Sequence, residues 1–320
     1  MITRGEMPQV RRVCVLAWGG AAVSWELSSP GRLVPSLASC AAFLLLALHV
    51  RHRLAAELRR VRETAGVAQQ ALLRPLPGRI DGLTPAASQL SLGGDLYEAL
   101  PTAYGVRAVI GDVRGHGLPA VGAAAVVLGS FREAAHDEPA LGGVARRMEL
   151  SLDRHLRGRA RAEHPSSGLG EPAAPWTEEF VTVLLVEIAA DGGLTAVNCG
   201  HPWPYLIRPA GGAPRAGAEV VSLAGGETLP PLGVAPLPEK VEAQDCGFLG
   251  AGELLFLHTD GAEDARDREG RFFPLPGVLA EASAGTPARL VAGVHAALLR
   301  HTSGRLADDV ALLVLRNDRS

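Results

Sequence analysis

The hydrophobic pattern of the chain changes character twice. Val13 to Val23 is apolar and small, with Trp18 and Trp25 near its far end, and Ser28-Ser29-Pro30-Gly31 forms a turn. Leu33 to Val50 then runs 18 residues without Asp, Glu, Lys or Arg, and Arg51, His52 and Arg53 follow at once. That length is about the minimum for a membrane span. Over 51–74 Arg and Glu alternate, with Leu54, Leu58, Val61 and Ala65 at three- and four-residue steps, until Pro75 and Pro77. This spacing predicts an amphipathic helix, either a dimerising stalk or a solvated linker. From Ile80 onward, short apolar runs stand between Gly, Pro and Asp turns. They predict strands at 83–91, 95–100, 106–111, 180–189, 194–199, 203–208, 219–223, 253–259 and 310–316. Helices are predicted at 118–136, 140–157 and 286–301, and the aperiodic stretch 158–178 reads as a surface insertion.

Strands in succession, interrupted by two consecutive helices, do not alternate as a doubly wound sheet would. They predict an α+β fold with helices packed outside antiparallel sheets. Arg4, Arg11 and Arg12 precede the first apolar stretch and Arg51 and Arg53 follow the second, with only Arg32 in the turn between them. By the positive-inside rule both ends lie in the cytoplasm, giving a two-span transmembrane hairpin; a buried soluble helical hairpin is the alternative. The expected organisation is a membrane anchor at 1–50, a linker helix at 51–77 and a catalytic body at 78–320, placed at the cell membrane on its cytoplasmic side. No secretory cleavage pattern is expected, because a second apolar run follows the first.

Composition narrows the partners. The net charge of −3 lacks the concentrated basic face that nucleic-acid binding needs. The four cysteines, Cys14, Cys40, Cys199 and Cys246, have neither metal nor redox spacing and read as reduced apolar residues.

The candidate chemistry is carried by aspartates. Asp112 lies in G-D-V-R-G-H-G, residues 111–117, where an apolar strand ends in a glycine-rich turn. Asp95 lies in G-G-D-L-Y-E, residues 93–98; Asp260 in H-T-D-G, residues 258–261; Asp308 and Asp309 directly precede the last strand. Each alone reads equally as a turn former. Four such sites at strand ends would gather several anions, which is tolerable only with cations between them. An oxygen-only donor set selects hard ions such as Mg²⁺ or Mn²⁺ over zinc.

The ordered set G-G-D-L-Y-E, G-D-V-R-G-H-G, F-V-T-V-L-L (180–185), N-C-G-H-P (198–202), H-T-D-G and D-D-V-A-L-L-V (308–314) resembles the metal-dependent protein phosphatases of the PPM, type 2C-like family. Within it, the set is similar to the bacterial branch of sporulation stage II protein E-like serine/threonine phosphatases, over residues 67–316 and beginning with A-Q-Q-A-L-L-R-P-L-P (68–77). The resemblance implies an αββα sandwich of two mostly antiparallel sheets flanked by helices, with two Mn²⁺ or Mg²⁺ ions. It makes Asp95, Asp112, Asp260 and Asp308 metal ligands, Asp112 bridging, with the Val113 backbone carbonyl as a further ligand and Asp309 as neighbour or additional ligand. Catalysis through these residues would proceed by attack of a metal-held water on phosphorus, with no protein nucleophile. The eukaryotic members hold the phosphate with an Arg near the first Asp. Residues 86–94 contain none, so the phosphate would be held by the metals and their waters alone or by an Arg from elsewhere, such as Arg114. The resemblance gives His116 a turn role rather than that of a general acid, and makes His201 a fold marker beside the site; His258 is expected as a strand histidine.

The function expected is a membrane-tethered serine/threonine protein phosphatase in partner-switching signalling. Its implied substrate is a phosphorylated protein such as an anti-sigma-factor antagonist, with a homodimer through the linker helix as a further expectation. Two alternatives use the same residues: a catalytically silent phosphoprotein-binding module, and a metal-dependent small-molecule phosphoesterase.

Overall fold

The computed structural model describes residues 42–54, 56, 66, 68–69, 71–90, 93–115, 117–163, 179–209, 218–223, 226–282, 285–306 and 308–319. The first predicted span and most of the stalk, the hairpin they would complete, and His116 lie outside these residues. The chain divides into two compact units, 1–60 and 61–320. In the first, residues 42–54 are helical, and Phe43, Leu44, Leu45, Leu46, Leu48, Val50 and Leu54 are all exposed.

Among the described residues the second unit has ten strands. They are β1 (Leu83–Leu90), β2 (Leu96–Thr102), β3 (Gly105–Val113), β4 (Val181–Ile188), β5 (Gly193–Cys199), β6 (Tyr205–Arg208), β7 (Glu219–Ser222), β8 (Gln244–Phe248), β9 (Leu254–His258) and β10 (Val310–Asn317). Its helices are α1 (Leu118–Asp137), α2 (Leu141–Glu163), α3 (Leu275–Ala282) and α4 (Pro287–His301). One sheet has the order β1-β10-β9-β6-β7 and the other β2-β3-β4-β5-β8, and every pairing of these strands is antiparallel. The α+β sandwich expected from the pattern is therefore present. β8 and α3 were not in that expectation. β8 has no apolar alternation, and the eight residues of α3 offer too few turns to establish a helical period.

Three apolar layers hold the unit together. Ala108, Ile110, Leu184, Val186, Leu255, Leu257, Leu313 and Leu315 fill the space between the sheets. Val109, Val183 and Leu185 face outward onto α1 and α2, while Leu312 and Val314 face α3 and α4. Central strands are thus buried on both faces, which is why they read as unbroken apolar runs rather than as alternation. Among the described residues, α1 alone is long and apolar enough to cross a membrane. Its eight buried residues, Ala120 to Ala135, pack in the core beneath the second sheet.

One buried charge fixes the joint between α1 and α2. Arg107 of β3 is fully buried and pairs with Glu187 of β4 at 2.6 Å. It also donates to the carbonyls of Ala135, in the last turn of α1, and of Glu138 and Pro139, just after it, and lies 4.4 Å from the centre of the Tyr104 ring. These acceptors compensate the loss of water around the guanidinium.

Candidate active site

The acidic residues meet at one end of the sandwich. Asp95 directly precedes β2, and Asp112 is the penultimate residue of β3; Leu96 pairs with Gly111, which sets the two aspartates opposite each other. Both belong to the second sheet. From the first sheet come Asp260, which opens a 3₁₀ turn just after β9, and Asp308 and Asp309, which lead into β10.

Glycines make the approach possible. A side chain at Gly94 would collide with the Val113 carbonyl oxygen and start 3.0 Å from Asp112 Oδ1, so both oxygens border the same small space. A side chain at Gly93 would collide with the Asp309 carboxylate, and one at Gly261 with the Asp309 carbonyl. These are close approaches of backbone to the acidic residues, which explains the glycines beside Asp95 and Asp260.

The electrostatics are those of crowded anions. Asp95 is 1% exposed. Burial first, then the charges of Asp112, Asp309 and Asp260, hold its pKa well above the usual carboxylate range. Asp112 is pushed up to about 7 by burial and then by Asp260, Asp308 and Asp309, against a hydrogen bond with Asp95 that lowers it. Asp260, at the mouth, is raised by partial burial and by Asp308 and Asp264. The charged side chains acting most strongly on Asp95 and Asp112 are all carboxylates. Among the described residues no three His, Cys, Asp or Glu side chains close on one point as a metal shell would. The donors nevertheless suit a hard divalent cation: they are all carboxylate or carbonyl oxygens, and the inner pair, Asp95 and Asp112, is largely withdrawn from water.

The expected neighbours can now be placed. Arg114 is exposed at the mouth. Its backbone N–H donates to Phe180 O at 2.9 Å, and its guanidinium lies 5.1 Å from the centre of the Phe180 ring. His201 is buried between the sheets. Its Nδ1 meets Thr182 Oγ1 of β4 at 3.0 Å and its Nε2 meets the His258 carbonyl at the end of β9 at 3.1 Å. Nε2 must donate to that carbonyl, leaving Nδ1 to accept from Thr182. Burial, with His258 nearby, holds the His201 pKa down to about 3, so the ring stays neutral. Asn198 fixes it further by accepting the His201 N–H and donating to the His201 carbonyl, both at 2.8 Å. His258 is a buried strand residue stacked on Tyr205, ring centres 5.6 Å apart.

Two polar residues close to Asp95, Gln69 of A-Q-Q-A-L-L-R-P-L-P and Thr259 of H-T-D-G, were not singled out by the sequence reading. Gln69 donates to the Asp95 carbonyl at 2.8 Å, and Thr259 donates to Asp95 Oδ2 at 3.2 Å. Thr259 stands inside H-T-D-G, but nothing in its spacing says that its hydroxyl reaches across 164 residues.

The model of the stage II sporulation protein E (SpoIIE) family matches residues 102–318. The chain belongs to this family. It is a homologue of the PPM serine/threonine phosphatases, enzymes that hydrolyse phosphoproteins. Solved structures share the fold at low identity. The PP2C domain of SiaA from Pseudomonas aeruginosa is 16% identical, with TM-score 0.58, over 82% of this chain and 98% of that one. The RsbU and RsbW domains of a Mycobacterium tuberculosis protein are 22% identical, with TM-score 0.54, over 74% of this chain. The phosphatase domain of SpoIIE from Bacillus subtilis, with part of its regulatory domain, is 16% identical, with TM-score 0.50, over 73% of this chain. This chain spans 62% and 63% of the length of the latter two. A comparison with curated proteins finds no match.

Proposed function

We propose that the chain is a membrane-tethered, metal-dependent serine/threonine protein phosphatase acting in partner-switching regulation. The observation that carries the reading is the meeting of Asp95, Asp112, Asp260, Asp308 and Asp309 from both sheets, with carboxylates as their strongest charged neighbours. Asp95, Asp112, Asp260 and Asp308 would hold two Mn²⁺ or Mg²⁺ ions, with the Val113 carbonyl as a neutral donor and Asp309 closing the Asp95 side. Such cations supply Lewis-acid polarisation of phosphoryl oxygens and a nucleophile derived from water at neutral pH. The chain itself orients the ligands from rigid strand ends, and its apolar sandwich keeps the inner pair, Asp95 and Asp112, desolvated. Arg114, exposed two residues after Asp112, would receive the phosphoryl group of the substrate.

The partner is a phosphorylated regulatory protein of the anti-sigma-factor-antagonist class. The apolar helix at 42–54 supports the membrane anchor. Its exposed Leu and Phe residues occupy consecutive positions and so surround the helix, as lipid contact requires and a single packing seam does not. The linker that follows is the segment for a homodimer.

The test is turnover of a phosphoserine peptide by the purified full-length chain with Mn²⁺ and with a chelator, beside sugar and nucleotide phosphates. Mn²⁺-dependent release of phosphate from the peptide is expected. Peptide binding without release would favour a silent binding module, and turnover of only the small phosphates would favour a phosphoesterase. Carbonate extraction of membranes tests the anchor: the full chain is expected in the pellet.

A further inference from the structure

We infer that Thr259 is a positioning residue, whose hydroxyl holds the Asp95 carboxylate in the orientation a bound cation needs. The inference rests on the metal-dependent reading above. It starts from a hydroxyl with one hydrogen to give. The β9–β10 ladder ends at the pair His258 and Leu312. At the next pair the Thr259 N–H still donates to the Ala311 carbonyl at 3.1 Å. The Thr259 carbonyl has turned away, however, and accepts Ala262 N–H at 3.1 Å as the 3₁₀ turn of Asp260 begins. Ala311 N–H therefore finds Thr259 Oγ1 instead, at 2.9 Å. With that lone pair taken from the sheet side, the hydroxyl hydrogen is directed to Asp95 Oδ2 at 3.2 Å.

Thr259 is fully buried and Asp95 is 1% exposed, so water does not compete for either group. The branched side chain restricts rotation about the Cα–Cβ bond, and the Ala311 bond fixes it further. Gln69 holds the Asp95 backbone carbonyl at 2.8 Å. Asp95 is thus restrained at its main chain by one residue and at one carboxylate oxygen by another. Asp95 belongs to the second sheet and Thr259 to the first, so the same bond spans the gap that separates Asp95 and Asp112 from Asp260. Groups that orient a ligand in this way set metal affinity without touching the metal.

The experiment measures Mn²⁺ binding by calorimetry on the purified full-length chain, with the melting temperature without metal as a second readout. Thr259→Val keeps the side-chain outline and removes the hydroxyl; its Mn²⁺ affinity is expected to fall about 10–100-fold. Thr259→Ser keeps the hydroxyl and is expected to stay within about threefold of the wild type. In phosphopeptide assays the Val variant should recover most of its kcat at saturating Mn²⁺. Unchanged Mn²⁺ affinity in Thr259→Val, however far its melting temperature falls, overturns the inference, because a hydroxyl that only completes the sheet acts on stability alone. Equal losses in the Ser and Val variants overturn it as well, since they would trace to packing. If Thr259→Val does not fold, Thr259→Cys replaces it, its thiol being a weak donor. A Cys variant weaker than Ser by about tenfold supports the inference, and equality overturns it. A wild-type chain that binds no Mn²⁺ removes the metal reading itself, and this result is distinct from a wild type that binds while Thr259→Val binds equally.

Discussion

The two ends of β3 carry charge drawn wholly or partly out of water, in opposite conditions. At the start of the strand Arg107 is surrounded by groups that answer it: the Glu187 carboxylate, three backbone carbonyls and the face of Tyr104. At its far end Asp112 faces Asp95, Asp260, Asp308 and Asp309. The first arrangement is complete within the chain and serves the fold. The second is like charge brought together at a cost, and it serves the fold no purpose of its own, which is what marks it as a site. A buried charge therefore says little by itself; the sign of what surrounds it separates structural from functional use.

The difference can be broken from either end. Asp112→Asn removes a donor from the acidic end and should lower phosphopeptide hydrolysis at saturating Mn²⁺ by at least about 10³-fold, roughly 4 kcal/mol of barrier. Its melting temperature without metal should hold or rise, because a repelled charge has gone. Near-normal turnover in this variant would end the assignment of Asp112 as a ligand. Arg107→Met should do the reverse. Stranding Glu187 and the carbonyls should cost about 3–5 kcal/mol of stability in urea unfolding. Mn²⁺ affinity of the protein that remains folded should be unchanged. A Mn²⁺ affinity that fell with stability would show that the two ends are not independent.

The acidic end was more legible in the sequence than the basic one, and the reason is local. Asp95, Asp112, Asp260 and the Asp308-Asp309 doublet each stand beside glycine or another aspartate at the end of an apolar run, so each leaves a mark within a few residues. Among the described elements, all the strands but β8 and the three long helices were legible for a similar reason, being short apolar or helically spaced runs with clear ends. Arg107 left no such mark. In the sequence it is one charge within an apolar run, and its hydrogen-bond partners lie 28 to 80 residues away. Thr259, Gln69 and the cross-sheet contacts of His201 were hidden in the same way. Their roles depend on how the two sheets face each other, and no pattern along a single strand encodes that.

The third expectation is a pH dependence at the acidic end alone. In the folded chain the pKa of Asp112 is raised from 3.8 to about 7, and Asp95 is raised as well. Below about pH 4 both residues are protonated whether the chain is folded or unfolded, and the contribution to stability is fully present. Between there and about pH 7 the folded state keeps protons that the unfolded state has shed, so stability without metal falls as pH rises. Mn²⁺ needs the deprotonated carboxylates, so its stabilising effect should grow in the same direction. Melting temperatures in chelator should be lower at about pH 8 than at about pH 5, and the increment from Mn²⁺ should be larger at the higher pH. A Mn²⁺ increment independent of pH would mean that these aspartates do not surrender protons to the metal.

The smallest effect expected is also the one that asks why a cation so close to Asp112 leaves it uncompensated. Arg114 is two residues away, yet its charge is not among those that act most strongly on Asp112. Its backbone is committed to Phe180 O, and its guanidinium lies over the Phe180 ring, an attraction worth about 0.5–1 kcal/mol at an exposed site. Contact with a phosphoryl oxygen is stronger than that, because both partners are charged. The side chain can therefore leave the ring for a substrate at small cost, while in its absence it does not compete with metal for the carboxylates. Arg114→Ala should accordingly raise KM for a phosphopeptide about three- to tenfold with little change in kcat or in Mn²⁺ affinity, and Arg114→Lys should recover part of the loss. Phe180→Leu removes the resting place and should leave KM unchanged or lower it slightly. A fall in Mn²⁺ affinity in Arg114→Ala would instead mean that the arginine supports the acidic cluster, and the contrast between the two ends of β3 would have to be redrawn.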